Sequence, residues 1–308
     1  MSSKAQALSG TPTDKGGCAS LLLLSHNTNP PALANTELGS IVSTLPAAVP
    51  DRSIALHGSL ATLDPWSTPT HWASFWRNLQ LLENQWLVDY FPFDEIRSEA
   101  DLRKQLDDLA AVPDVILYAV LADPAHLNPV KPADGEEGSV RHAEVFGFMA
   151  YSLAGTTHRE IEVGAMFAPA LQRTAAATEA HYVMLKNVLE PVHVQEGKSL
   201  PYRRVSWKCN SLNAASRAAA ERLGYVYEGT LRNHQIVKGR SRDTSWFSII
   251  DIEWPVRRAA LEKWLDGSNF DEHGRQVKAL NRIRAELAAT VGCPNKQTNH
   301  DLVPVDAI

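Results

Sequence analysis

One stretch of the sequence constrains the fold more than any other: Ile161 to Ala180, which reads IEVGAMFAPALQRTAAATEA. Alternating apolar residues from Ile161 predict a strand, which Pro169 ends. A turn of small residues follows, and apolar positions from Ala180 to Val188 then recur at helical spacing. The first N–H groups of a helix have no intrahelical acceptors, and the helix dipole favours an anion there. Small side chains leave these N–H groups accessible, so the stretch predicts a place where a phosphate can bind.

The composition limits the class of protein. The chain has 308 residues, of which 44% are hydrophobic and 21% charged, so it can build a sizeable core as one large domain or one domain with extensions. Its net charge of −5 argues against a general nucleic-acid-binding protein, which would carry a basic excess. No apolar run approaches the roughly 20 residues of a membrane span. We therefore expect neither nucleic acid nor membrane as a partner.

Cysteine content and N-terminal composition bear on the cellular location. Cys18, Cys209 and Cys293 are far apart and odd in number, so they fit neither a metal site nor a disulfide framework. We therefore expect a cytoplasmic protein without a metal. Residues 1–50 are rich in small and polar residues and contain no arginine, which predicts a flexible extension rather than a targeting peptide. The run Leu21–Leu24 either belongs to this extension or docks against the domain.

The order of predicted elements favours an α/β fold with an antiparallel meander. Three successive strands between residues 114 and 167 are joined by turns and not by helices. Trp72, Phe75 and Trp76 have helical spacing, and they either pack in the core or form the wall of a pocket. We predict strands at 53–64, 114–121, 145–153, 160–167, 202–209, 225–236 and 244–254. We predict helices at 98–110, 174–189, 213–223 and within 255–292. The last of these regions has two apolar faces, one formed by Val256, Ala259, Ala260 and Trp264 and the other by Val277, Leu280, Ile283 and Leu287.

The turn before the 174–189 helix resembles a known motif. Gln172 to Ala177 is similar to the pyrophosphate-binding loop of the GNAT acetyltransferases, Q/R-x-x-G-x-G/A, with Ala175 where the family usually has glycine. The resemblance implies that the loop binds the pyrophosphate of acetyl-CoA and that the strand backbone before it binds the pantetheine arm. The implied binding residues are Met166, Phe167, Ala168, Gln172, Arg173, Thr174, Ala175, Ala176 and Ala177.

A second motif follows in the order that the family requires. Asn213, Ser216 and the Leu223-Gly224-Tyr225 segment resemble the GNAT element N-x-x-S…A-x-x-L-G-F, and Glu228 to Arg232 resembles the E-G-x-x-R strand. Asn213 and Ser216 lie on one face of the helix start, where the family binds the cofactor; the alternative is that Asn213 only caps the helix. The resemblance covers residues 53–254 and is nearest to the branch that includes the ribosomal-protein N-terminal acetyltransferases.

The resemblance implies a fold and a reaction. The GNAT fold is a mixed, mainly antiparallel sheet flanked by helices and splayed open between its fourth and fifth strands, here Glu160–Phe167 and Tyr202–Cys209. The implied reaction is direct transfer of an acetyl group from acetyl-CoA to the primary amine of a small molecule or a protein N-terminus. The alternative is an acyl-CoA-binding module that has lost catalytic activity. The presence of Ala175 where the family usually has glycine supports this alternative. We expect a monomer or homodimer with an extension at 1–50, the acetyltransferase domain at 51–255 and a helical extension at 256–308.

Two residues are candidates for catalysis. An amine with a pKa of about 10 must lose a proton before it attacks, and Glu162 is our candidate for the base because it matches the E-x-G pattern of the family branch. Strand alternation puts Glu160 on the same face, so Glu160 is the alternative base; either carboxylate could also simply face solvent. Ser216 would hydrogen-bond the departing sulfur, and a strand N–H near Phe167 would bind the developing oxyanion.

Overall fold

Hydrogen bonds join the strands of the described chain into one mixed sheet, in which the strands lie in chain order except that the last strand lies between the two before it. The computed structural model describes residues 40–127, 143–192 and 194–291. The strands are β1 Leu56–His57, β2 Ala61–Pro65, β3 Val115–Ala122, β4 Glu144–Gly155, β5 Glu160–Phe167, β6 Arg204–Asn210, β7 Val226–Val237 and β8 Arg240–Ile250. The helices are α1 Thr68–Leu79, α2 Trp86–Asp89, α3 Glu99–Ala111, α4 Ala175–Leu189, α5 Ala214–Leu223, α6 Trp254–Leu265 and α7 Leu280–Val291.

The contact between β5 and β6 differs from every other contact in this sheet. The other neighbouring strands are antiparallel, whereas β5 and β6 are parallel and pair over three residue pairs only, from Glu160–Arg204 to Glu162–Ser206. The chain between them runs through α4, as a parallel connection requires. After Glu162 the two strands separate. The predicted mixed, mainly antiparallel α/β sheet, open between these two strands, is therefore confirmed.

Helices cover the sheet with apolar side chains. Trp72, Phe75 and Leu79 of α1 are buried, and the rings of Phe75 and Phe148 lie 6.2 Å apart edge to face. Trp72 and Phe75 therefore pack in the core and do not form the wall of a pocket, which were the two predicted roles of this helix. The predicted α3 is confirmed together with its capping box, in which Ser98 and Asp101 bond reciprocally to each other's backbone N–H.

The two C-terminal helices belong to the same packing. Trp254 and Trp264 of α6 and Leu280 and Ile283 of α7 are all buried. The predicted face that included Val277 is wrong at that position, because Val277 is 70% exposed and precedes α7. The compact unit that begins at Thr44 contains both helices. The Leu21–Leu24 run lies outside the described residues.

No helix among the described residues is both long enough and apolar enough to cross a membrane.

A buried carboxylate fixes the first hairpin of the sheet. Residues 53–64, predicted as one strand, instead form β1, a turn and β2. The carboxylate of Glu179, on α4, accepts hydrogen bonds from the turn N–H groups of Ser59 at 2.9 Å, Leu60 at 2.6 Å and Ala61 at 2.8 Å. Gly58 is required by this close approach, because a Cβ there would lie 2.3 Å from Glu179 Oε2. Burial raises the pKa of Glu179, and the three N–H groups partly oppose that shift.

We predict that Glu179→Gln destabilises the fold. Glutamine offers one acceptor oxygen in place of two, and its NH₂ group would face N–H donors. Loss of buried hydrogen bonds to a charged group costs about 2 kcal/mol, which corresponds to a fall in Tm of roughly 5 °C for a domain of this size. Thermal unfolding checks this, with Glu196→Gln on an exposed carboxylate as the matched control. Equal Tm values for the two variants would contradict the anchoring role of Glu179.

Candidate functional site

A cavity of about 1430 Å³ opens where β5 and β6 separate. Its walls include β5 from Glu162 to Phe167, β6 from Trp207 to Asn210, and the beginnings of α4 and α5. The opening exists because β5 loses its neighbour after Glu162, which leaves one edge of that strand without a paired strand. The predicted catalytic and binding residues line this space, except Ala168 and Ala176, which are fully buried and do not.

The loop before α4 is held by its own side chains. Gln172 Nε2 donates to the Phe167 carbonyl at 2.9 Å, so the Gln172 side chain fixes the loop to the end of β5. Thr174 is the N-cap of α4: its hydroxyl accepts from the Ala177 N–H at 3.1 Å and donates to the Leu171 carbonyl at 2.7 Å. The Thr178 N–H bonds to the Thr174 carbonyl at 3.4 Å.

These bonds leave the first two N–H groups of α4, from Ala175 and Ala176, without an acceptor inside the helix. The sequence motif places a glycine at Ala175, where a positive φ would be needed. In the structure Ala175 is already helical, and the left-handed residue is Arg173, with φ of 65°. The substitution of glycine by alanine is therefore compatible with this loop. Ala175, Ala176 and Ala177 form the first turn of the helix and not a separate loop.

The open edge of β5 presents fewer backbone groups than expected. The Ala168 N–H donates to the Phe146 carbonyl at 2.7 Å, on the side of β4. Antiparallel alternation then directs the N–H of Met166 toward β4 as well, and the N–H groups of Ala165 and Phe167 toward the cavity. The prediction that the whole Met166–Ala168 backbone is available is wrong for Met166 and Ala168. Phe167 retains a free N–H at the cavity.

Both residues of the second motif line the cavity, and Asn213 also has a structural role. Asn213 caps α5, since its side-chain oxygen accepts from the Ser216 N–H at 3.0 Å, which is the structural alternative considered above. The Ser216 hydroxyl accepts from the Trp207 indole N–H at 3.0 Å and lines the cavity. Since its oxygen is the acceptor in that bond, its hydrogen can donate to a neighbouring group, and the Cys209 thiol is one such neighbour. Burial raises the pKa of the neighbouring Cys209 thiol, and a hydrogen bond from Ser216 partly opposes this.

The structure separates the two candidate carboxylates. Glu162 lines the cavity, and Lys208 Nζ lies 2.5 Å from its Oε2. Glu160 accepts from Arg204 Nε at 3.0 Å, and the same guanidinium binds Glu228. Glu160 does not contribute to the cavity wall. Of the two carboxylates, only Glu162 can contact a molecule bound in the cavity.

His181 is a cavity residue that the sequence reading missed. It lies one helical turn after Ala177 on the buried face of α4, and that spacing was the available signal. Its ring packs between Phe167, at a centroid distance of 5.4 Å, and Trp207, at 5.2 Å. Complete burial lowers the pKa of His181 to about 3, and the positive charge of Arg222 adds to the shift. The imidazole is therefore neutral at physiological pH and is a poor proton acceptor.

Aromatic residues form the two ends of the cavity. At one end, α2 and the segment after it provide Trp86, Tyr90, Phe91 and Phe93. At the other end, near the α4 N-terminus, the Arg222 guanidinium lies 4.6 Å from the centre of the Trp264 ring and donates to Thr178 Oγ1 at 3.1 Å. The wall at the first end thus comes from the segment that follows α1 and not from α1 itself, and α6 adds a wall that the sequence did not suggest.

No group of three or more His, Cys, Asp or Glu residues within the described ranges is arranged to hold a metal ion.

Comparison with known proteins gives consistent matches. The family model described as "Acetyltransferase (GNAT) domain" matches residues 62–226. The crystal structure of a GCN5-related N-acetyltransferase from Brucella melitensis is 28% identical with a TM-score of 0.66, over 78% of this chain and 98% of that one. A protein described as a probable GNAT acetyltransferase from Chromobacterium violaceum is 32% identical with a TM-score of 0.56, over 74% of this chain and 100% of that one. No curated protein matches the sequence at a significant level.

We predict that His181 makes stability depend on pH. Its pKa is about 3 when folded and near 6.5 when unfolded, so below pH 6.5 only the unfolded state takes up the proton. Stability is therefore lost as the pH falls from 6.5. Between pH 6.5 and 4.5, the wild type should lose about 2–3 kcal/mol more unfolding free energy than His181→Phe, at 1.4 kcal/mol per pH unit. Urea denaturation at both pH values measures this difference. Parallel losses in the two proteins would contradict a neutral, fully buried His181.

Proposed function

The chain belongs to the GNAT acetyltransferase family, and from this premise we propose that it is an acetyl-CoA-dependent N-acetyltransferase acting on a primary amine. The observation that carries the proposal is the combination of three groups in one cavity. These are the free N–H groups at the start of α4, the open edge of β5 and the Glu162 carboxylate. The first would hold a phosphate, the second an extended ligand, and the third a proton.

The cavity residues fit acetyl-CoA. The Ala175 N–H, in the cavity wall at the start of α4, would bind the pyrophosphate, since a small side chain and a helix N-terminus favour an anion there. The cavity wall includes the side chains of Arg173, Arg222 and Arg275, which add positive charge. The Phe167 N–H on the edge of β5 would bind the pantetheine arm or the thioester carbonyl oxygen, as an added strand binds an exposed sheet edge.

Bound acetyl-CoA would supply an acyl group activated as a thioester, which the amine attacks directly. Ser216 would donate a hydrogen bond to the departing sulfur, with its hydroxyl hydrogen turned away from Cys209, since the Trp207 indole occupies only the Ser216 oxygen. A thiol has a pKa of about 8.5 and is already a fair leaving group, so this assistance is modest. Trp207, by fixing the Ser216 hydroxyl, would act as a positioning residue.

Glu162 would accept the proton of the amine, directly or through one water. It lies in the cavity wall with a half-buried side chain, 27% exposed, and Lys208 holds its carboxylate in place. His181 is unsuited to this task because its pKa is about 3. Glu160 forms an ion pair with Arg204 and does not line the cavity. A positioned base of this kind raises a rate by roughly 10²–10⁴-fold.

The alternative of a binding module without catalysis loses its main support. That alternative rested on Ala175, and Arg173 rather than Ala175 takes the left-handed conformation. The acceptor would be a small-molecule amine or a peptide N-terminus, bound against the aromatic end formed by Trp86, Tyr90, Phe91 and Phe93. Thiol release from acetyl-CoA with a panel of such amines tests the activity.

We predict that Glu162→Gln lowers kcat/KM by on the order of 10²-fold near pH 7 and partly recovers as the pH approaches the pKa of the amine. Removal of the base matters most when the amine holds its proton. Glu160→Gln, which removes a carboxylate two residues away outside the cavity wall, should retain kcat/KM within a few-fold. The measurement is the pH–rate profile of each variant on one accepted amine.

A wild-type profile for Glu162→Gln would remove Glu162 from the proposed chemistry. Binding of acetyl-CoA without thiol release for any amine would instead favour the non-catalytic module.

A further inference from the structure

Arg242 is a buried cation that the proposed chemistry does not use. Its side chain lies in the wall of the cavity, and the residue is only 8% exposed. Its Nε and Nη1 atoms have no hydrogen-bond partner among the described residues. An arginine side chain stays charged in proteins, and a buried charge is unfavourable unless an opposite charge or good acceptors accompany it. The guanidinium is therefore arranged for a partner that is not one of these residues.

Strand register places Arg242 on the same face of the sheet as Glu162. Ser206 of β6 pairs with both Glu162 of β5 and Ser248 of β8. Since side chains alternate along a strand, Lys208 on β6 and Trp246, Thr244 and Arg242 on β8 share this face. Trp207, whose indole bonds to Ser216 of α5, points to the opposite face. Arg242 therefore lies on the side of the proposed base and away from the helix N-terminus that would bind phosphate.

The positive charge of Arg242 is not balanced by the carboxylates of the cavity wall. Among the described residues that line the cavity, the carboxylates are Asp89 and Glu162. Glu162 is already paired with Lys208 at 2.5 Å, and Asp89 belongs to the exposed part of α2. On the face of Arg242, its cross-strand partner Gln235 and the next residue Thr244 are neutral, and Arg240 is an exposed cation. The adjacent Asp243 points to the other face, where it accepts from the Asn233 N–H at 2.7 Å. The acceptor half of the cavity thus has an excess positive charge.

We propose that Arg242 binds a carboxylate of the acceptor, so that the enzyme acetylates amines that carry a carboxylate close to the amine. This inference rests on the proposed function and names its substrate class. The chemistry can come from two sources: the α-carboxylate of a free amino acid, or an acidic side chain on the first residue of a peptide. A guanidinium binds a carboxylate through charge-assisted hydrogen bonds, which are stronger than those between neutral groups. In this arrangement the carboxylate binds at Arg242 and the amine faces Glu162.

The experiment compares acceptors that differ in the carboxylate alone. Glycine with glycinamide tests the free amino acid, and Asp-Ala-Ala-amide with Asn-Ala-Ala-amide tests the peptide N-terminus. The kcat/KM for thiol release is measured with the wild type, Arg242→Met, Arg242→Lys and the control Arg240→Met, which removes an exposed arginine from the same strand. The ratio of the two acceptors within a pair is compared between proteins, because this comparison cancels differences in amine basicity.

We expect the carboxylate member of at least one pair to be preferred by the wild type. Arg242→Met should reduce that preference at least tenfold, mainly through KM and with CoA affinity retained. Arg242→Lys should keep part of the preference, and Arg240→Met all of it. The pair that responds identifies the source of the carboxylate.

Two results would overturn the inference. One is equal kcat/KM, per unit of unprotonated amine, for both members of each pair in the wild type. This result is measured without any variant and so does not depend on the folding of Arg242→Met. The other is an equal loss on both members in Arg242→Met, which would make Arg242 a structural residue. Absence of thiol release with every amine would instead contradict the proposed function itself.

Discussion

The separation of β5 from β6 is the constraint on which the rest of the structure depends. The two strands pair at three positions and then diverge, so the C-terminal half of β5 has one edge without a neighbour. Unpaired N–H groups at a strand edge favour pairing with another extended chain. Here the edge faces a walled cavity, where a ligand can reach it and a second protein strand cannot easily do so. The same divergence connects the two faces of the sheet, which brings Ser216 and Glu162 to one space from opposite sides.

The surroundings of the opening are organised to keep its polar groups in place without filling it. Gln172 and Thr174 satisfy the loop carbonyls and one helix N–H, which leaves the Ala175 N–H in the cavity wall for a ligand. The rings of Phe167, His181 and Trp207 pack side by side under the cavity, and burial keeps His181 neutral. On the other face, Glu162 forms an ion pair with Lys208, and the nearby Arg242 has no hydrogen-bond partner for its Nε and Nη1 atoms among the described residues.

Local sequence signals predicted the features that depend on neighbouring residues. The continuous apolar strand β3, the alternation in β5, the helix after Ser98 and the cap at Asn213 all follow from short-range patterns, and the two motifs lie at the opening. The predictions that were wrong depended on contacts between residues distant in sequence or on backbone geometry. The positive φ fell on Arg173 instead of residue 175, and the Ala168 N–H was taken by Phe146, a residue distant in sequence. The burial of Arg242 results from packing of separate strands, and its own segment gives no sign of it.

The central claim is that the N-terminus of α4 binds the pyrophosphate of CoA. The most direct measurement is calorimetric CoA affinity for Thr174→Asp beside Thr174→Asn. Asp and Asn are equally good N-caps, and a negative charge at a helix N-terminus stabilises the helix, so loss of affinity in Thr174→Asp cannot come from a weakened fold. We expect Thr174→Asn to bind CoA within a few-fold of the wild type and Thr174→Asp to bind at least about tenfold more weakly, through repulsion of the phosphates. Equal affinity of the two variants would contradict binding of the pyrophosphate at this helix.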